Sequence, residues 1–163
     1  MIILKGVMME YTKNSNPNHY IEHEYETNCG SYALRIQEWY EVDFDMQVYA
    51  LQMKDEGADD EEIYWTITDE ATILLLYEFE NELRQLTGAD DFIADNEELI
   101  AFRISLETWD DYGADFHFRV FRGGKWMEKC GCQEVRECEF EEDSWETGLI
   151  YEGPIVYFAH QIS

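Results

Sequence analysis

The sequence predicts a single α+β domain over 1–163, and three observations predict it. Apolar residues recur at helical spacing twice, around Cys29–Tyr40 and within Asp69–Thr87. Strand-like runs flank Gly123-Gly124 and recur at 99–106 and near the C-terminus. No repeat, low-complexity tract or domain-scale linker divides the chain. Its 163 residues, with 45% hydrophobic content, suffice to close one core.

Taken in order, Met1–Met9 is apolar but lacks a basic leader, and Glu10 follows it; this reads as a first strand rather than a signal peptide. Asn14-Ser15-Asn16-Pro17-Asn18 marks a loop within a polar stretch. Cys29, Tyr32, Ala33, Ile36, Trp39 and Tyr40 then fall on one helical stripe, with Arg35, Gln37 and Glu38 opposite. Phe44, Met46, Val48 and Ala50 alternate as in a strand, and the acidic run 54–62 reads as a solvated turn or exposed helix. The main core helix is predicted over Asp69–Thr87. Its apolar stripe is Thr72, Ile73, Leu76, Phe79, Leu83 and Leu86; Thr68 or Asp69 caps the start and Gly88 follows the end.

An acidic loop over 89–98 leads to a half-buried strand at 99–106. Phe116–Cys130 forms a hairpin, because paired glycines suit the positive φ angles of a tight primed turn. A two-residue turn sets Arg122 opposite Lys125 and His117 opposite Cys130. His117, Arg119, Phe121, Trp126, Glu128 and Cys130 then share one face of the ribbon. Residues 149–151 and 155–159 supply one or two further strands around Gly153-Pro154.

Charge bounds the partners. The formal net charge of −26 comes from 37 Asp and Glu against 11 Lys and Arg. Such a surface repels nucleic acid and anionic membranes, which bind concentrated Lys and Arg, and attracts basic protein surfaces. No segment approaches the roughly 18 to 20 apolar residues of a transmembrane helix, so a soluble, cytoplasmic protein is expected. Cys29, Cys130, Cys132 and Cys138 are accordingly expected as reduced thiols. Structural zinc uses paired Cys or Cys/His knuckles, and Cys130-Gly131-Cys132 is one short unit; no metal or cofactor is assigned.

A cysteine nucleophile needs a thiol at a helix start, a histidine on a separate element and a polar group orienting the imidazole. Cys29 fits the first place. His117 fits the second as general base and then acid, with Glu128 or Gln133 as the orienting residue. The Cys29 backbone N–H, with Asn28 or His23, would hold a tetrahedral oxyanion. Each of these residues also has a plainer role: Cys29 as a buried core residue, His117 as a strand residue satisfied by a carbonyl, and Glu128 as a surface partner of Arg119 worth roughly 0.2–1 kcal/mol.

Cys29-Gly30-Ser31 resembles the opening of papain's catalytic helix, and Asn28-Cys29 followed by Tyr32-Ala33-Leu34 resembles a pattern in small bacterial and phage papain-like proteins. The stretch 115–119 followed by 124–131 is similar to the histidine hairpin of that group. Together these segments cover under a third of the chain. The resemblance implies a papain-like fold, which includes the NlpC/P60 hydrolases, with an N-terminal catalytic helix and a core helix packed on an antiparallel sheet. It also implies hydrolysis or acyl transfer at an amide bond of a peptide or other amide substrate. The glutamine that papain-type enzymes carry shortly before the thiol has no counterpart; that region offers His23 and Asn28.

A second function class follows from the charge. Acidic clusters at 59–62, 90–91, 110–111 and 137–146 spread over the chain. A fold covered in carboxylates can imitate duplex DNA, which carries about one negative charge per 1.7 Å of axis. In composition the chain resembles anti-restriction and anti-CRISPR proteins of phages and mobile elements, which implies an acidic mimic inhibiting a DNA- or RNA-binding defence enzyme. The hydrolase requires an accessible Cys29 within reach of His117, whereas the mimic requires carboxylates arrayed on one face.

Overall fold

Asn28, Asp45 and Asp59 side chains set the starts of three helices. The computed structural model describes residues 10–106, 114–139, 145 and 153–162. After the short helix α1 (His19–Glu22) and a 3-10 turn at Glu24–Glu26, α2 (Cys29–Leu34) begins at a capping box. The Asn28 side chain accepts from the Ser31 N–H, and the Ser31 hydroxyl accepts from the Asn28 N–H. Arg35 then takes the left-handed conformation at φ 53° and ends the helix after six residues. The predicted stripe to Tyr40 is thereby corrected: Ile36 bridges to Lys13, and Tyr40 folds back under α2. A Cβ on Gly30 would lie 2.7 Å from Tyr40, so this position accepts only glycine without repacking.

Helix α3 (Met46–Asp55) starts where the Asp45 carboxylate accepts from the Val48 N–H, and it replaces the strand predicted there. Helix α4 (Asp60–Glu78) starts in the same way at Asp59, which accepts from the Glu62 N–H at 2.8 Å. The core helix thus lies about two and a half turns earlier than predicted. Leu83 belongs to strand β1 (Leu83–Gln85), and Ile73 faces solvent.

Strands β2 (Glu97–Ser105), β3 (Asp115–Arg122), β4 (Lys125–Lys129), β5 (Val135–Glu137) and β6 (Val156–Gln161) follow, giving an antiparallel sheet in the order β1-β6-β2-β3-β4-β5. Gly123 and Gly124 have φ of 65° and 78°, and Arg122 pairs with Lys125, as the sequence predicts. The fold is α+β. The strands predicted over 1–9 and 149–151 lie outside the described residues.

Strand alternation gives the sheet two faces. Ile100, Phe102, Ile104, Phe118, Val120 and Phe158 join the helices in the main core. Ala101, Tyr157 and Ala159 point the other way and pack with Leu86 and Trp145. No described helix is long and apolar enough to cross a membrane.

Candidate functional site

Cys29 heads α2 and belongs to the main core. It is 5% exposed, and its Sγ lies 3.9 Å from the Phe116 carbonyl oxygen. Burial pushes the thiol far above its ordinary range, with the Asp115 and Cys130 charges adding to the rise; the Phe118 and Gly30 backbone groups oppose it. The sulfur is therefore a neutral thiol at neutral pH.

His117 lies on β3 between Phe116 and Phe118, which both join the helix-side core. By alternation its ring points to the opposite face of the sheet. There it meets Trp145 edge-on at 5.9 Å, and its Nε2 lies 3.2 Å from the Glu128 carboxylate. The thiol contact thus runs to a backbone carbonyl and the imidazole contact to Glu128, where a direct Cys29–His117 pair was expected. A cleft of about 620 Å3 is lined by both residues, together with Asn28, Cys130 and Gln133.

The hairpin register does bring Glu128 to His117, and it makes Glu128 a buried hub rather than the surface partner of Arg119. Arg119 Nε donates to Oε1 at 2.8 Å, and Arg136 donates to Oε2 from Nε and Nη2 at 3.1 and 2.9 Å. Burial alone would raise this carboxyl. Hydrogen bonds and charge from His117, Arg119 and Arg136 outweigh it and hold the group well below the usual carboxylate range. The Arg119 guanidinium also stacks 4.5 Å from the centre of the Trp145 ring.

The remaining predicted site residues take other places. Asn28 is committed to structure: its Oδ1 accepts from Ser31 and Tyr40, and its Nδ2 donates to the Tyr40 carbonyl at 2.8 Å. These bonds serve the fold, where an oxyanion role was expected. His23 caps α1, lies 3.3 Å from the Glu26 carboxylate and does not line the cleft. Gln133 borders the cleft from an exposed turn.

All four cysteines are free. Burial and the Glu128 carboxylate push the Cys130 thiol up to about 12, and its Sγ lies 3.4 Å from Oε2. His117, Glu128 and Cys130 place ligand-type atoms within 4.8 Å of one another. A divalent ion there would sit against the Arg119 and Arg136 guanidinium groups, which already neutralise the carboxylate. The cluster's chemistry is that of a filled ion-pair site tying β3, β4 and β5 together.

Two further charged centres were not legible from motifs. Glu98 on β2 accepts both forks of Arg35 and Arg122, with four contacts of 2.7 to 3.0 Å. Lys129 is fully buried, and its ammonium donates to the carbonyls of Glu24, Thr27 and Gly131, each at 2.6 Å. Its signal is positional: Lys129 shares strand parity with Met127, which packs against the core. For Glu98 the partners lie 63 and 24 residues away, beyond any local pattern.

Compared with family models, curated proteins and solved structures, the chain matches none.

Proposed function

We propose that this protein binds a basic nucleic-acid-binding enzyme and blocks it by presenting carboxylates where the enzyme expects phosphates. The observation carrying this reading is how the cations are spent. Seven of them, Lys13, Arg35, Arg84, Arg119, Arg122, Lys125 and Arg136, pair with only five carboxylates: Glu82, Glu97, Glu98, Glu128 and Glu137. Lys129 turns inward to backbone carbonyls. With 37 Asp and Glu against 11 Lys and Arg in the chain, acidic groups outnumber cations more than threefold. The imbalance is greatest across α3 and α4, where residues 41–80 contain 13 Asp and Glu and a single cation, Lys54. Uncompensated charge of this density steers a basic groove toward it.

The test is inhibition of purified restriction nucleases and guide-RNA effector complexes, the enzymes for which such a mimic competes with substrate. Stoichiometric inhibition is expected when the protein is added before DNA. It should weaken as NaCl rises from about 0.05 to about 0.5 M, because the Debye length shortens. Inhibition that is absent throughout, or indifferent to salt, overturns the proposal.

A second reading, papain-like amide hydrolysis by Cys29, has in its favour the cleft that Cys29, His117 and Gln133 line. It requires Cys29 to ionise within the core and to engage the His117 imidazole, whose Nε2 lies 3.2 Å from the Glu128 carboxylate. The burial of both side chains weighs against it.

A further inference from the structure

The outward face of α4 carries more than charge. Trp65, Ile73 and Tyr77 are exposed by 53, 55 and 68%, although Ile67, Ala71, Leu74 and Leu75 bury the opposite face of the same helix. Positions 65, 69, 73 and 77 repeat every four residues, so Trp65, Asp69, Ile73 and Tyr77 form one row. At about 1.5 Å per residue the row runs roughly 18 Å along the helix. Exposed Glu61, Glu62 and Glu80 lie at its two ends. Single exposed apolar residues are ordinary on a protein surface, but three large ones in one row mark a contact surface. Tryptophan and tyrosine are also the residues enriched where binding energy concentrates.

We propose that this row is the docking face of the protein, and that its partner is a basic protein surface with apolar side chains set among arginines. The occupant follows from charge complementarity. A second copy of this chain, a nucleic acid or an anionic lipid surface would each bring negative charge to a segment already carrying 13 carboxylates against one lysine. An arginine suits the row better than a lysine: its planar guanidinium stacks on Trp65 or Tyr77 and pairs with Asp69 in between. The inference deepens the inhibitor reading and rests on it for the identity of the biological partner.

Two synthetic helical peptides of equal positive charge test it, one alternating Arg with Leu and the other Arg with Ser. The Arg/Leu peptide is expected to bind the full-length protein at least about tenfold more tightly by fluorescence anisotropy. The double variant Trp65→Ala/Tyr77→Ala should erase that margin. Phe92→Ala, which removes an exposed ring elsewhere on the surface, should leave it intact. Circular dichroism checks that each variant is folded. Equal affinity for the two peptides, a margin surviving the double variant, or a margin lost equally in Phe92→Ala overturns the docking face. The outcomes separate the two proposals. Loss of the margin in the double variant, with no enzyme inhibited, keeps the docking face and rejects the inhibitor. Inhibition unchanged by the double variant, with the peptide margin also unchanged, does the reverse.

Discussion

Replacing Glu98 by glutamine should cost this protein roughly 3 kcal/mol at neutral pH, and two routes give that figure. Arg35 and Arg122 both fork onto this one carboxylate, and all three side chains are at most 20% exposed. Arg122 also donates to the Tyr32 and Ala33 carbonyls and stacks 4.5 Å from the Tyr32 ring centre, so Glu98 fixes the C-terminal end of α2 to the sheet. Removing one member of a buried ion pair typically costs about 3–5 kcal/mol, and glutamine keeps one acceptor oxygen in place. Independently, although burial raises this carboxyl, the two arginines hold it at about 2 against an ordinary 4.5. That difference corresponds to roughly 3 kcal/mol. A carboxyl lowered on folding stabilises the native state above its unfolded value, and the contribution fades as pH falls from about 4.5 to about 2. Urea unfolding of both proteins across pH 7 to 2 should therefore show a gap that is full at neutral pH and closes in acid. A gap below about 0.5 kcal/mol at pH 7, or one that does not change with pH, would refute the hub.

Three other outcomes follow from the same geometry. Iodoacetamide at neutral pH should label the exposed Cys132 first and Cys29 last, read by peptide mass spectrometry; Cys29 labelling first would restore the hydrolase reading. Burial, and then the neighbouring Asp43 charge, raise Glu78 to about 7, and one of its carboxylate oxygens is buried without a hydrogen-bond partner. A carboxyl raised on folding favours the native state at low pH and loses that contribution as pH climbs from 4.5 through 7, so Glu78→Gln should match the parent near pH 5. Above pH 8 the variant should gain about 1 kcal/mol, a figure reduced for partial exposure, and equal stability at both pH values counts against the buried acid. Gly30→Ala should lose about 1–3 kcal/mol in the same unfolding assay by driving a methyl group into Tyr40, and a neutral effect would mean that α2 can lift away.

The parts of the fold legible in the sequence were the locally encoded ones. Gly123-Gly124 dictates its own turn, and the apolar alternation at β2 and β6 needs no distant information. The helices start elsewhere than apolar spacing alone predicts, because side-chain caps fix where they begin. Asp59 with Glu62 carries a start signal in a stretch that reads as a turn or an exposed helix, and Asp45 with Val48 carries one in a stretch that reads as a strand. At the site, the hairpin register correctly joined His117, Arg119 and Glu128. Strand alternation also sorts the residues of β3 between the two faces of the sheet. Phe116, Phe118 and Val120 alternate with His117, Arg119 and Phe121, and the uniformly apolar set is the one that joins Cys29 in the core. The burial of Glu128 depends on Arg136 and Trp145, which other segments bring to the same face.

The most direct measurement of the central claim compares two variants in the inhibition assay. One carries Asp60→Asn, Glu61→Gln, Glu62→Gln and Asp69→Asn, which keeps the Asp59 cap of α4 but removes four surface charges; the other carries Cys29→Ala alone. The neutralised variant should lose at least about tenfold in potency at low salt, while Cys29→Ala inhibits like the parent. Full potency in the neutralised protein, or its loss in Cys29→Ala with the fold intact, would contradict the account.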